Sequence, residues 1–132
     1  MFFIKLWNLP IDKICLENPI GFVNGIIKPT QIIQPYYFGD EAQKTTCLWL
    51  KGLPLLKHYS QSDLFTEQTH VDRGEMINWT NEKGEKKSMP KWYADAFKLP
   101  AYERAELRSK TFPGIAKAMA NQWGKSPFLF TQ

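Results

Sequence analysis

An α/β fold follows from three features of the chain: short apolar runs rich in β-formers up to residue 51, a hairpin signature near residue 80, and helical spacing of apolar residues in the last third. The N-terminal Met1-Phe2-Phe3-Ile4-Lys5-Leu6-Trp7 is apolar but interrupted at Lys5 and Asn8, with neither a basic leader nor a small-residue cleavage site. It reads as a short helix or an amphipathic lead-in rather than a signal peptide. Ile11, Ile14, Cys15 and Leu16 then predict a buried strand over 12–17, closed by Glu17-Asn18-Pro19. Gln31-Ile32-Ile33-Gln34 predicts a second strand over 31–34, stopped by Pro35. Residues 44–51 are apolar on both alternating faces, Cys47 and Trp49 on one and Leu48 and Leu50 on the other, which marks a central strand.

From His58 to Lys91 the sequence is polar and irregular, apart from two β-like segments around Asn81-Glu82-Lys83-Gly84 that predict a hairpin near 75–89. Trp92, Tyr93, Ala96 and Phe97 begin a helical region near 91–107, broken at Leu99-Pro100. Pro113-Gly114 opens a last helix over 114–123, where Ile115, Ala118, Met119, Gln122 and Trp123 recur at helical spacing and Gly124 stands at the C-cap.

A chain of 132 residues suits one domain with a real core, and residues 125–132 read as a flexible tail. Hydrophobic content of 43% against 23% charged residues excludes a disordered chain, and no apolar run approaches the roughly 20 residues needed to cross a bilayer. Cys15 and Cys47 lie in apolar sequence without C-x-x-C spacing and far from His58 and His70, so buried thiols in a reducing cytoplasm are expected rather than a disulfide or a metal site. The formal charge of +4 fits contact with a phosphate backbone, and it fits plain solubility as well.

Three places carry candidate chemistry. Glu17 and Asn18 stand where the carboxyl end of a strand faces a ligand crevice, the position of a base-reading acid, although Asn-Pro also makes an ordinary turn. The hairpin joins Lys83, Lys86 and Lys87 to nearby Trp79, a combination suited to phosphates and stacked bases, or to a solvated surface. Arg108, Ser109 and Thr111 precede the last helix, where hydroxyl residues also serve as helix caps.

Four blocks stand in one collinear order: Glu17-Asn18-Pro19-Ile20, then residues 31–39 (QIIQPYYFG), residues 44–54 (KTTCLWLKGLP) and residues 108–120 (RSKTFPGIAKAMA). Over about Phe2 to Gly124 the chain resembles the C-terminal half of phage and prophage proteins described as DNA cytosine methyltransferase-like. That resemblance implies a partial Rossmann-like methyltransferase sheet, with flanking helices and a β-hairpin, that takes S-adenosylmethionine at the carboxyl ends of parallel strands. It also implies a cysteine thiolate that attacks the ring of a flipped cytosine while a glutamate holds the ring-nitrogen edge. Glu17 matches that glutamate, although the third residue of the motif is commonly valine where this chain has Pro19. Asn18 and Arg108 would lie near the base, Ser109 and Thr111 near the cofactor, and the hairpin lysines on DNA phosphates.

The same resemblance implies a glycine-containing cofactor loop and a Pro-Pro-Cys nucleophile segment ahead of these blocks. No Gly-x-Gly occurs in the sequence, Cys15 follows Ile14 and Cys47 follows Thr46. The expectation is a chain inactive alone, working with a companion chain that carries the first half. The alternatives are a non-catalytic module binding nucleic acid or protein, and a self-dimer formed through an exposed sheet edge.

Overall fold

The computed structural model describes residues 1–61, 66–68 and 70–124, with the backbone alone described at 59–61 and 66–68. It is a mixed α/β fold built on small antiparallel sheets. A short helix α1 (Phe2–Trp7) leads into β1 (Ile14–Pro19), a 3-10 turn over Phe22–Gly25, β2 (Gln31–Ile33), a second 3-10 turn over Pro35–Phe38, and β3 (Thr46–Lys51). Two hairpins follow, β4 (Tyr59–Gln61) with β5 (Thr66–Gln68) and β6 (Met76–Thr80) with β7 (Lys86–Pro90). Helices α2 (Lys91–Ala96), α3 (Ala101–Ser109) and α4 (Pro113–Trp123) complete the order.

The main sheet has the order β1-β3-β2, so the strand that is apolar on both faces lies in the middle, as its pattern predicts. Leu48 packs with Ile33, Leu56 and Ile115 on one face, and Cys15, Leu50 and the α4 residues Ala118, Met119 and Trp123 close around them. Cys47 and Trp49 face the other way into a second core with Val23, Leu16, Ile27 and the α1 residues Phe3 and Trp7. The Trp49 indole donates to Ile27 O at 2.9 Å, which satisfies the one polar atom of a side chain with no solvent exposure.

Both pairings of β3 are antiparallel, Glu17 standing opposite Leu48 and Ile32 opposite Cys47. The resemblance implies parallel strands, and no parallel pair occurs among the described residues. Parallel neighbours need a crossover of about a dozen residues or more, usually helical. The links on either side of β2 contain only the two 3-10 turns.

The chain from Pro35 to Gly39 positions α4. A Cβ on Gly114 would stand 2.2 Å from Phe38 O, so glycine alone permits this approach, and the Gly114 N–H donates to Asp40 Oδ2 at 2.7 Å. That carboxylate does for α4 what a local N-cap side chain does elsewhere. At the other end Gly124 has φ −78°, so the helix stops without the left-handed glycine cap that its position suggests.

The β6–β7 hairpin turns through Asn81–Glu85. Gly84 takes φ +78° and donates to Asn81 O at 3.0 Å, and the Asn81 N–H donates to Glu85 O at 3.0 Å. This is a three-residue loop closed by a glycine bulge. Asn81 Oδ1 also accepts from the Lys83 and Glu85 N–H groups, at 3.0 and 2.9 Å. The expected tail over 125–132 lies outside the described residues. Among the described residues no helix is long and apolar enough to cross a membrane.

Candidate functional site

The carboxyl end of β1 forms one wall of a cleft of about 630 Å³. Glu17, Asn18 and Pro19 supply that wall, Gln43, Lys44 and Thr45 the floor beside it, Ser88, Met89 and Pro90 the base of the hairpin, and Trp92, Tyr93, Ala105, Arg108 and Ser109 the helical side. β1 is an edge strand, so consecutive side chains that alternate between sheet faces both reach a cleft wrapped around its end.

Glu17 is exposed, and among the described residues its carboxylate accepts no hydrogen bond and joins no ion pair. Its charge is still felt by its neighbours. The Cys15 thiol is pushed up to about 11, first by burial and then by Glu17. Burial lowers the pKa of the Lys44 ammonium and the charge of Glu17 opposes that shift. Lys44 is held firmly: its Nζ donates to Lys110 O at 3.0 Å and its N–H donates to Gln34 Oε1 at 2.9 Å.

The helical wall is aromatic. The Trp92 indole donates to Gln43 O at 3.1 Å and stands edge-on to Tyr93 and Phe112, with centroids 5.6 and 5.7 Å away. Arg108 lies over the Tyr93 ring at 5.1 Å, so its guanidinium is held on α3 while facing the cleft. The Ser109 hydroxyl donates back to Glu106 O at 2.9 Å, an intrahelical bond that occupies its proton.

The structure thus brings Glu17, Asn18, Arg108 and Ser109 into one cleft. Thr111 lies in an adjoining hollow of about 100 Å³ that also touches Glu17 and Lys44. Small-molecule sites run from roughly 300 Å³ upward, so this hollow does not enclose a cofactor the size of S-adenosylmethionine. Lys86 and Lys87 lie apart, in a surface groove with Asn78, Trp79, Thr80 and Ser88, and Ser88 belongs to both the groove and the cleft. Lys86 stands opposite Thr80 and Lys87 opposite Trp79, so the two lysines occupy opposite faces of the ribbon. Lys87 is paired with Glu85 at 3.1 Å, and Lys83 belongs to the tip.

Sequence reasoning missed Lys44, Thr45 and Gln43, and it took Trp92 and Tyr93 only as helix-forming residues. A visible signal was the Trp92-Tyr93 pair in the first turn of the helix that follows Pro90. Neither cysteine is placed as a nucleophile. Cys47 has no solvent exposure and accepts from Asn24 Nδ2 at 3.2 Å, and Cys15 packs against the α4-side core. Comparison of the chain with protein-family models, with curated proteins and with solved structures returns no match.

Proposed function

We propose that the cleft beside β1 holds a nucleobase of a DNA strand and that the chain serves as the base-binding, C-terminal portion of a DNA cytosine methyltransferase-like assembly. The observation that carries this reading is the convergence of Glu17 and Asn18 with Arg108 and Ser109, from blocks some 90 residues apart, on one cleft walled by Trp92 and Tyr93. Aromatic faces suit a flat heterocycle. A carboxyl group accepts from the exocyclic amine of cytosine, and Asn18 adds a donor and an acceptor for neighbouring ring positions. Arg108, held over Tyr93, is placed for the phosphate that follows the base.

Catalysis by the chain alone is not part of the proposal. Attack on a pyrimidine ring needs a thiolate, and the Cys15 thiol at about 11 holds its proton at neutral pH. In this reading the nucleophile, the S-adenosylmethionine pocket and the parallel order of a Rossmann-like sheet come from a companion chain, with Ser109 and Thr111 at its border. The same observation favours the second reading, a module that binds nucleic acid without chemistry. Both predict base recognition by the isolated chain.

The test is fluorescence titration of the chain with a single-stranded oligonucleotide carrying one cytosine, and with the same strand abasic at that position. Wild type prefers the cytosine strand, and Glu17→Gln loses about tenfold of that preference, in line with 1–3 kcal/mol per good base contact. Equal affinity for the two strands, or a Glu17→Gln variant that keeps the preference, removes the base from the cleft.

A further inference from the structure

We infer that His58 and His70 form a two-imidazole chelate for a divalent transition-metal ion of square or octahedral preference, nickel(II) or copper(II), across the base of the β4–β5 hairpin. The chain has two histidines in 132 residues, and the fold brings both to one place. β4 and β5 pair antiparallel with Tyr59 opposite Gln68, so His58 leads into the hairpin where the chain towards His70 leaves it. His58 Nδ1 and His70 Nε2 stand 2.9 Å apart.

Three aromatic rings from one 3-10 turn, Pro35–Phe38, hold the imidazoles. Tyr37 stacks on His70 with centroids 4.6 Å apart and planes 5° from parallel, and its ring lies 5.0 Å from that of His58. Phe38 stands edge-on to His58 at 6.1 Å, and Tyr36 edge-on to His70 at 6.2 Å. The Val71 N–H donates to Tyr36 O at 3.0 Å, which ties the chain beside His70 to the same turn. Ligands placed before the ion arrives lose little freedom when it binds.

The spacing selects the kind of metal. Imidazole nitrogens lie about 2.0–2.1 Å from such an ion, so two at a right angle stand about 2.9 Å apart and two at the tetrahedral angle about 3.4 Å. The pair has the right-angle spacing. At this distance one facing nitrogen carries a proton that the other accepts. A shift of that proton to the other nitrogen of its own ring frees both lone pairs, and ring rotation turns them towards one point. Burial first, and then His70, hold the His58 pKa below the ordinary histidine value, so its ring is neutral at pH 7 and protons compete little with the metal. Among the described residues no third histidine, cysteine or carboxylate completes a cluster. His70 is exposed, and water supplies the remaining positions.

The site is separate from the base-binding cleft, which neither histidine lines. The test is titration of the metal-free chain at neutral pH with nickel(II) sulfate and with zinc sulfate, read by intrinsic fluorescence and by the denaturant midpoint, and with copper(II) sulfate, read by electron paramagnetic resonance. Wild type binds one nickel ion per chain, more tightly than zinc. With nickel at about a hundred times the measured dissociation constant, the unfolding equilibrium shifts about a hundredfold towards the native state. The copper signal shows two nitrogen donors. His58→Gln and His70→Gln each lose the nickel-dependent shift and one nitrogen, with circular dichroism in the absence of metal confirming that the variants are folded. A wild type whose midpoint ignores nickel, a His70→Gln variant that responds as wild type does, or zinc bound as tightly as nickel each overturns the inference. The first and last of these outcomes need no variant, so they decide the matter even where a substitution unfolds the chain.

Discussion

Gly114 sits where the Phe38 carbonyl leaves no room for a side chain, and its N–H is taken by Asp40. Gly114→Ala forces α4 off that contact and lowers stability by about 1–3 kcal/mol, the usual cost of overpacking, read as a melting temperature several degrees lower. A second residue-scale feature is the histidine pair. His58 Nδ1 and His70 Nε2 are 2.9 Å apart, with Tyr37 stacked on His70 at 4.6 Å and Phe38 edge-on to His58. Burial first, and then the neighbouring His70, hold the His58 pKa below the ordinary histidine value. A base whose folded pKa is depressed contributes stability above its unfolded pKa, and that contribution is lost as pH falls through the window down to the folded value. Denaturant midpoints should therefore fall as the pH is lowered through and below the ordinary histidine value of about 6.5, and His58→Phe should flatten that dependence. At this scale Glu17, Asn18, Arg108 and Ser109 were legible in the sequence because each lies in a compact block with a recognisable pattern. The link from Asp40 to Gly114 was not, since it spans 74 residues and leaves no local periodicity.

Elements were more readable than contacts. The double-faced apolar pattern of β3 announced a central strand, the Asn-Glu-Lys-Gly turn announced the hairpin, and Leu99-Pro100 marked the break that separates α2 from α3. Strand direction was not readable, because a period of two is the same whichever way a neighbour runs. The hairpin lysines do not stand alone. Two glutamates, Glu82 and Glu85, sit among its three lysines, and Lys87 is already paired. For the Lys83/Lys86/Lys87 triple alanine variant, the dependence of oligonucleotide affinity on salt should weaken by about one to two phosphate contacts rather than three, measured from the slope of log affinity against log salt. An unchanged slope would take the hairpin out of the nucleic-acid path. Trp79, 40% exposed, stands opposite Lys87 on that ribbon.

The whole molecule is a three-stranded sheet with a core on each face, and its cleft lies at the rim, where the edge strand, the hairpin base and α3 meet. The general class of fold was legible because both periodicities are present in the sequence. The cleft was half legible: Glu17, Asn18, Arg108 and Ser109 were singled out, whereas Gln43 and Lys44 were missed and the aromatic wall depends on how α2 is carried on the hairpin, which only tertiary packing settles. The docking of α4 also bears on biosynthesis. The α1-side core draws only on residues up to Trp49, so it can close early as the chain leaves the ribosome. The opposite face, with Ile33 and Leu48, waits for Ile115 and its neighbours, and closing so long a loop comes late in assembly. A nascent chain stalled before Pro113 would thus carry one finished side and one bare, oily side.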